Sequence, residues 1–414
     1  MKRISTNMSN YDMQYHLRNR EWKMNEVQNR MATQSRIKNL RDDPVAASHS
    51  VRYQSRIERM NRYISNIDSV TSSHREAESY MTSANNILQR IREISIQGAN
   101  DTYTKDEKRM MAEEVNQLLN ELVEVANATS ADGTSIFAGD RTLGAAYRVL
   151  TGNVPGSSGR VITQVDYLGT VNENKAEISE GSYIEKDFPG NEVFWAEQQQ
   201  IFSARNADAF TLGSDAKIRI DGEVVALKAG DNVHAVIAKI NDSHAAVKAS
   251  LDPVRNSLVI ETTVPHQLMI EDVGAGTVLR DLGIVSGNGR PPQNLAQDAR
   301  VSGGSLFDMV ISLRDQLYKG DTLDIGGAGL KGITMAQNNL ISQIAKIGSR
   351  DTRMQEVKER LLTDIPVVQE TNSRLVDLDF AEAITELKML EYNHKAALQT
   401  AGRILQPTLL DFLR

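Results

Sequence analysis

The C-terminal part of the chain carries apolar residues three and four positions apart in the segment Phe380-Ala-Glu-Ala-Ile384-Thr-Glu-Leu387-Lys-Met-Leu390-Glu-Tyr-Asn-His-Lys-Ala396-Ala-Leu398-Gln-Thr-Ala401-Gly-Arg-Ile404-Leu405. This spacing puts the apolar side chains on one narrow face of a helix, as in coiled coils. So near one end of the sequence, such a face needs either the other terminus or another molecule to cover it. The pattern therefore predicts a subunit that assembles with itself or with a partner, rather than an enzyme with a pocket.

The N-terminal segment, residues 5–38, has a looser helical pattern, and polar residues separate many of its apolar positions. A helix of this kind is marginal alone and requires a partner. The pair Asp43-Pro44 then predicts a break and a new helix, because Asp43 can accept hydrogen bonds from free backbone N–H groups and Pro44 fits the first helical position. The apolar positions of the segment include Met8, Tyr11, Tyr15 and Trp22.

Helical periodicity continues in the inner parts of both halves of the chain, and we expect these helices to pair as a second layer. Pro366 predicts a kink or a break in the last of them. Ser135–Gly139 follows an Asp-Gly turn signal and is predicted to be a short strand. The periodic segments are residues 45–98, 104–128, 305–318 and 333–374.

Residues 141–300 are richer in Gly, Pro, Val and Thr and contain short β-type runs. Within them, residues 203–286 predict a small module of a β-hairpin, a helix and a second β-hairpin. Its first hairpin turns at Asp221-Gly222, and its helix ends near Asn241. Residues 141–202 form a further β-rich segment, and residues 287–299 are predicted to be a linker.

The predicted fold class is mainly α, with an elongated, coiled-coil-like helical bundle formed by the N- and C-terminal segments. An α+β, β-rich outer region is inserted into this bundle. The predicted domains are a terminal assembly domain (1–43 and 375–414), a helical core domain (44–140 and 300–374), the β-rich segment 141–202 and the inserted module 203–286.

Composition excludes several classes of function. Residues 1–62 contain 13 Lys and Arg against 6 Asp and Glu, but no aromatic stacking pattern accompanies them, which argues against nucleic-acid binding. The chain has no cysteine, which removes disulfides and thiolate chemistry. No apolar run approaches the roughly 20 residues that span a bilayer. The first residues lack the apolar stretch of a signal peptide, so these rules alone predict a cytoplasmic protein.

The sequence contains only weak matches to catalytic or ligand-binding motifs. Gly327-Ala-Gly329-Leu-Lys-Gly332 matches the dinucleotide pattern GxGxxG, but that motif requires a parallel βαβ unit, and none is predicted. We interpret the segment as a flexible loop before a helix. The seven histidines show no metal-ligand spacing, and Asp377 and Asp379 suit a helix N-terminus better than acid–base catalysis. We therefore predict no enzymatic activity, no cofactor and no metal.

Several short motifs resemble the flagellins and their hook-associated relatives. Arg3-Ile-Ser-Thr-Asn-Met8 and Asp43-Pro44-Val-Ala-Ala47 are similar to the amino-terminal signature of this family, and Ser135-Ile-Phe-Ala-Gly139 is similar to the motif that closes its first helical domain. The module 203–286 resembles the small domain inserted in several members, with Asp221-Gly222 and Ile240-Asn241 in the corresponding places. The segments Leu375–Ile384, Ala396–Gln399 and Leu405–Leu413 resemble the C-terminus of the hook-associated proteins at the hook–filament junction.

The resemblance implies a structural subunit of the bacterial flagellum that joins hook and filament; the alternative is a filament-forming flagellin. A third hypothesis is a cytoplasmic coiled-coil scaffold or an enzyme. The implied partners are another hook-associated protein, flagellin, an export chaperone and further copies in a ring or layer, without nucleic acid or membrane. The resemblance also implies export without a signal peptide, through the flagellar type III channel, to an external or periplasmic flagellum. The expected contact residues are Met8, Tyr11, Tyr15 and Trp22, together with Phe380, Ile384, Leu387, Leu390, Leu398, Ile404 and Leu405.

Overall fold

The computed structural model describes residues 6–39, 41–141, 143–287 and 289–404, and long helices flank a β-rich middle region. The fold is mainly α, as the sequence predicts. The helices are α1 (Thr6–Thr33), α2 (Pro44–Gly98), α3 (Lys105–Ala126), α4 (Gly190–Val193), α5 (Val233–Asn241), α6 (Val278–Asp281), α7 (Leu306–Lys319), α8 (Thr322–Asp324), α9 (Leu330–Val376) and α10 (Phe380–Ile404). The strands are β1 (Tyr147–Asn153), β2 (Arg160–Tyr167), β3 (Lys175–Ser179), β4 (Ser182–Glu185), β5 (Gln200–Asn206), β6 (Ala216–Ile220), β7 (Glu223–Leu227), β8 (Val247–Leu251), β9 (Ser257–Thr262), β10 (Ile270–Val273) and β11 (Arg300–Ser302).

The chain divides into two compact units. The terminal unit takes the described residues up to Ile64 and from Lys358 onward, and the central unit is Ser65–Val357. The predicted boundaries at 43/44 and 374/375 lie at or near helix ends, whereas this division lies inside α2 and α9.

In the terminal unit, α1 and α10 run antiparallel. The backbone N–H of Arg36 donates to the carbonyl of Val376 at 2.7 Å, and that of Leu378 donates to the carbonyl of Gln34 at 3.1 Å. Further along the pair, Arg20 Nη1 donates to the carbonyl of Asn393 at 2.7 Å. These bonds fix the register in which the two terminal helices meet.

Asp43 and Pro44 set the start of α2, as predicted from the sequence. Pro44 is its first residue, and the Asp43 carboxylate accepts a hydrogen bond from the Ala46 N–H at 3.0 Å. Asp42 lies outside the helix start and accepts instead from the N–H groups of Lys38 and Asn39. The missing N–H of proline is harmless at this position.

The central unit has its helical core among α2, α3, α7 and α9. Two capping boxes define helix starts: Thr104 and Glu107 bond reciprocally before α3, and Ser305 and Asp308 do so before α7. The aromatic centre of this core links the helices to the loops and to β1 through rings about 5–6 Å apart, those of Phe137, Tyr147, Phe194 and Phe307.

Three local predictions need correction. The glycine-rich segment before α9 is not a loop, because Ile325–Gly329 forms a π-helical turn that continues into α9. Ser135–Gly139 is not a strand, because only Ser135 makes a bridge, to Thr129. The chain instead turns inward there and buries Phe137. Of the kink or break predicted at Pro366, the break is wrong, because α9 continues through this residue.

Gly329, the last residue of this π-helical turn, and Gly332, in the first turn of α9, allow close helix packing. A Cβ on Gly332 would lie 2.5 Å from Met309 Sδ, and one on Gly329 would lie 2.9 Å from Leu313 Cδ1. Met309 and Leu313 belong to α7. Gly329 and Gly332 therefore permit α9 to approach α7, which gives these two glycines a role without a nucleotide.

Between residues 200 and 302 the chain builds two antiparallel sheets and a second apolar core. The strand orders are β10-β6-β7 and β11-β5-β9-β8. The β6–β7 hairpin turns at Asp221 and Gly222, both with positive φ, as a two-residue hairpin turn requires. Helix α5 connects the hairpins β6–β7 and β8–β9. The predicted linker packs against this region, since Asn294 Nδ2 donates to the carbonyl of Ile270 at 2.8 Å.

Within the described ranges, none of the helices is long and apolar enough to cross a lipid bilayer.

Candidate assembly surface

Helix α1 exposes an aromatic stripe. Tyr11, Tyr15 and Trp22 are exposed, Trp22 to 59%. Separations of four and seven residues place all three on one face of the helix. Arg18 belongs to the same face and is also exposed. Rows of large exposed aromatic side chains are uncommon on monomeric proteins and often mark a surface that binds another molecule.

The apolar seam predicted for α10 splits into two faces. Leu387 and Leu390 are half-buried and share the heptad spacing of the buried Ala383 and Ala401, so they belong to the face that packs within the unit. Phe380, Ile384 and Leu398 form a neighbouring stripe, which we call the α10 outer stripe. Ile384 is 47% exposed and Leu398 is 49% exposed.

Three predicted contact residues, Met8, Ile404 and Leu405, lie near the two ends of the sequence. Met8 belongs to α1 and Ile404 belongs to α10, but the positions of their side chains are outside what the structure describes. Leu405 lies outside the described residues. The contact role of these three residues therefore stays a prediction from the sequence.

Sequence reasoning missed a second exposed apolar row on α10. Met389 and Tyr392 are both strongly exposed. Their separation of three residues was a usable signal, but they lie roughly on the opposite side of the helix from the α10 outer stripe. The helix therefore presents apolar groups in two directions beyond the face that packs within the unit.

The chemistry of this surface is packing. Asp379 accepts hydrogen bonds from the N–H groups of Ala381 and Glu382 at 2.9 and 3.2 Å and so caps α10. The Asp377 carboxylate accepts a hydrogen bond from the Ser373 hydroxyl. Both carboxylates are thus used locally. Among the described residues, no group of three potential ligands is arranged to hold a metal ion.

Two buried histidines in the central unit are structural. His74 Nδ1 lies 2.6 Å from the Asp351 carboxylate and Nε2 lies 3.0 Å from the Glu185 carbonyl. Burial lowers the pKa of His74, against the opposing effect of Asp351. His266 pairs with Asp221 at 2.9 Å. Each ring joins separate segments of the chain.

Sequence models of three flagellin regions match this chain. The bacterial flagellin N-terminal helical region matches residues 4–142, the C-terminal helical region matches residues 330–413, and the flagellin hook IN motif matches residues 218–264. The matches thus include α1, α2 and α3, all of α9, the described part of α10, and the module around α5.

The chain belongs to the flagellin-like family.

Named relatives of this flagellin-like chain include polar flagellin F of Vibrio parahaemolyticus, 24% identical over 93% of this chain and 91% of the relative. Flagellin A of Vibrio anguillarum is 24% identical over 96% of this chain and 94% of its own length. Both relatives align with nearly the whole chain.

Solved structures similar to the chain include flagellar hook-associated protein 3 of Legionella pneumophila, with a TM-score of 0.47 and 18% identity over 78% of this chain and 98% of that one. The flagellar junction protein FlgL of the same species has a TM-score of 0.45 and 18% identity, with coverage of 80% and 100%. A putative flagellar hook-associated protein of Vibrio parahaemolyticus has a TM-score of 0.47 and 14% identity, with coverage of 81% and 100%.

Proposed function

We propose that this chain is a structural subunit of the bacterial flagellum that joins the hook to the filament. The observation that carries a structural role is the pair of antiparallel terminal helices, each with an apolar stripe left in water. These helices are matched by the flagellin terminal regions. The exposed stripes are the contact surfaces for neighbouring subunits, and packing is the only chemistry required.

The position at the junction is supported by the C-terminal sequence, which resembles that of hook-associated proteins. In this position the subunit contacts another hook-associated protein on one side and flagellin on the other. Further copies complete a ring or layer. Export proceeds through the flagellar channel with a chaperone covering the terminal stripes, and the subunit performs no catalysis.

A second candidate function is a filament-forming flagellin. It is favoured by the curated relatives, which are flagellins that align along 91–94% of their own length. The two functions differ in self-polymerisation: a flagellin extends along the filament, whereas a junction subunit stops after a limited number of copies.

Immunogold electron microscopy of isolated flagella, with an antibody against residues 203–286, separates these functions. We expect one labelled band at the hook–filament boundary. Label along the whole filament would establish the flagellin alternative, and flagella without label would reject both.

A pair of variants tests the contact surface itself. Ile384→Asp and Leu398→Asp each place a charge on the α10 outer stripe and should abolish attachment while leaving the fold intact, because both side chains are exposed. Thr400→Asp is the matched control for the α10 outer stripe, because Thr400 is exposed and lies on the other side of the helix, near Met389. Loss of attachment in this variant would assign the contact to the row of Met389 and Tyr392 instead. Leu387→Asp is a poorer test, since its half-buried side chain also supports packing within the unit. Normal motility in both outer-stripe variants would contradict the proposal.

A further inference from the structure

The side chain of Asn241 imitates a neighbouring β-strand. Its Nδ2 donates to the carbonyl of Ala249 at 3.0 Å, and its Oδ1 accepts from the N–H of Ala249 at 2.6 Å. The amide group thus satisfies both backbone groups of one residue, as a paired strand would. Asn241 is the last residue of α5 and is itself exposed to solvent.

Ala249 occupies the centre of an edge strand. Strand β8 is the last in the order β11-β5-β9-β8, and it pairs with β9 with Ala249 opposite Ile260. Because Asn241 binds both backbone groups of Ala249, these groups point away from β9. Lys248 and Ser250 then direct their backbone groups toward β9, since hydrogen-bonding directions alternate along a strand.

The same arrangement occurs a second time in the fold. Asn127, the residue that caps the C-terminus of α3, donates from Nδ2 to the carbonyl of Tyr147 at 3.1 Å and accepts from its N–H at 2.8 Å. Tyr147 is buried in the helical core. There the amide joins a strand to the core, whereas at Ala249 it closes an edge that faces solvent.

We propose that the side chain of Asn241 prevents β8 from pairing with β8 of a second copy of this chain. Unpaired edge strands recruit further strands, and proteins commonly block them. An antiparallel pair centred on Ala249 would use the two backbone groups that Asn241 occupies. Its register sets Lys248 opposite Ser250 of the second copy, so no like charges face each other. Val247 and Leu251 become opposite apolar residues in the same pair.

This inference concerns the inserted module and is independent of the proposed function. It assigns a role to the asparagine within the region matched by the flagellin hook IN motif. The exposed stripes of the terminal helices take no part in it.

Cysteine cross-linking tests the pairing directly, because the natural chain contains no cysteine. Full-length chains carrying Lys248→Cys are mixed with chains carrying Ser250→Cys and oxidised. The experiment is repeated with Asn241→Ala added to both cysteine variants. In the proposed β8–β8 pair, position 248 of one copy faces position 250 of the other at a non-hydrogen-bonded site. Side chains at such a site approach closely enough for a disulfide. We expect at least a tenfold increase in the mixed dimer with Asn241→Ala, and little dimer from either cysteine variant alone.

The controls separate edge opening from loss of stability. Asn127→Ala removes the same two hydrogen bonds from the buried Tyr147 of β1 and leaves β8 untouched, so it should not increase the mixed dimer. Asn241→Asp keeps the acceptor for the Ala249 N–H but loses the donor, so it should give an intermediate yield of mixed dimer. It also provides a milder variant should Asn241→Ala fail to fold. Circular dichroism establishes folding in each case. Unchanged cross-linking in a folded Asn241→Ala or Asn241→Asp variant would overturn the proposal, as would equal cross-linking with Asn127→Ala.

Discussion

His266 Nε2 lies 2.9 Å from the Asp221 carboxylate, and Nδ1 of the same ring lies 2.9 Å from the carbonyl of Val264. Both neighbours are acceptors, so the ring satisfies both only as an imidazolium with two N–H groups. Asp221 also accepts from the Met269 N–H at 2.9 Å. The pair therefore ties the β6–β7 turn to the segment that leads into β10.

The first prediction concerns pH. Burial alone would lower the pKa of His266, but the hydrogen bond and charge of Asp221 outweigh it and raise the pKa above its usual value, and Glu192 adds to the effect. A histidine with a raised folded pKa stabilises fully below its unfolded pKa of about 6.5 and loses that contribution as pH rises through the folded pKa. His266→Gln should therefore lower the thermal midpoint more at pH 6 than at pH 8.5.

The matched control for that experiment is His234→Gln, because His234 is exposed on α5. It should change the midpoint little, because the side chain is exposed. A His266→Gln effect that does not depend on pH would contradict an imidazolium at this position.

The second prediction compares two glycines of one helical segment. A Cβ added at Gly327 would have no other atom within 4 Å, whereas one at Gly332 would clash with Met309 Sδ at 2.5 Å. Gly327→Ala should stabilise the protein by about 0.5–1 kcal/mol through helix propensity. Gly332→Ala should lose that gain, because overpacking costs about 1–3 kcal/mol. Urea denaturation of both variants measures the difference, and equal shifts would show that α7 and α9 do not pack closely here.

The third prediction concerns the start of α2. Asp43→Ala removes the hydrogen bond to the Ala46 N–H and should destabilise the helix start by about 0.5–2 kcal/mol. Asp43→Asn retains an oxygen acceptor and serves as the control, although it also loses the ion pair with Arg36 at 3.5 Å. That pair is partly exposed and contributes little. Amide hydrogen exchange in residues 44–50 should increase in Asp43→Ala alone; equal exchange in both variants would reject the cap.

The fourth prediction uses the two tryptophans as reporters. Trp22 is exposed in the α1 stripe, whereas Trp195 is 6% exposed and its Nε1 makes no hydrogen bond within the described part of the chain. Trp195→Phe should therefore be mild, and it leaves Trp22 as the single tryptophan, which excitation at about 295 nm selects over the tyrosines. We expect the Trp22 emission to shift to shorter wavelength when the subunit binds isolated hooks, because burial removes water from the ring. An unchanged spectrum on binding would exclude the α1 stripe from the contact.

Local sequence signals predicted the helix ends well. Asp43-Pro44 marks the start of α2, and Gly98 is its last residue. These features were accessible because capping depends on residues adjacent in sequence. The glycine-rich segment before α9 was misinterpreted because Gly329 and Gly332 pack against α7, and those contacts are not visible in a local pattern.

The assembly surface shows the same limit. The spacing of Ile384, Leu387 and Leu398 identifies them as apolar positions of one helix, but it cannot say which of them α1 and its neighbours cover. Leu387 turned out half-buried, whereas Ile384 and Leu398 are left in water. Adjacent faces of a helix differ by only a few tens of degrees, so a small rotation decides the outcome.

The sequence by itself determined the helical class of this protein, its helix starts, and the family to which it belongs, because periodicity, caps and turns act over a few residues. The tertiary structure decided which apolar rows remain exposed, why glycines occupy the turn before α9, and that Asn241 closes the edge of β8 at Ala249. Each of these depends on how separate segments of the chain pack against one another, and a local pattern carries no information about that packing.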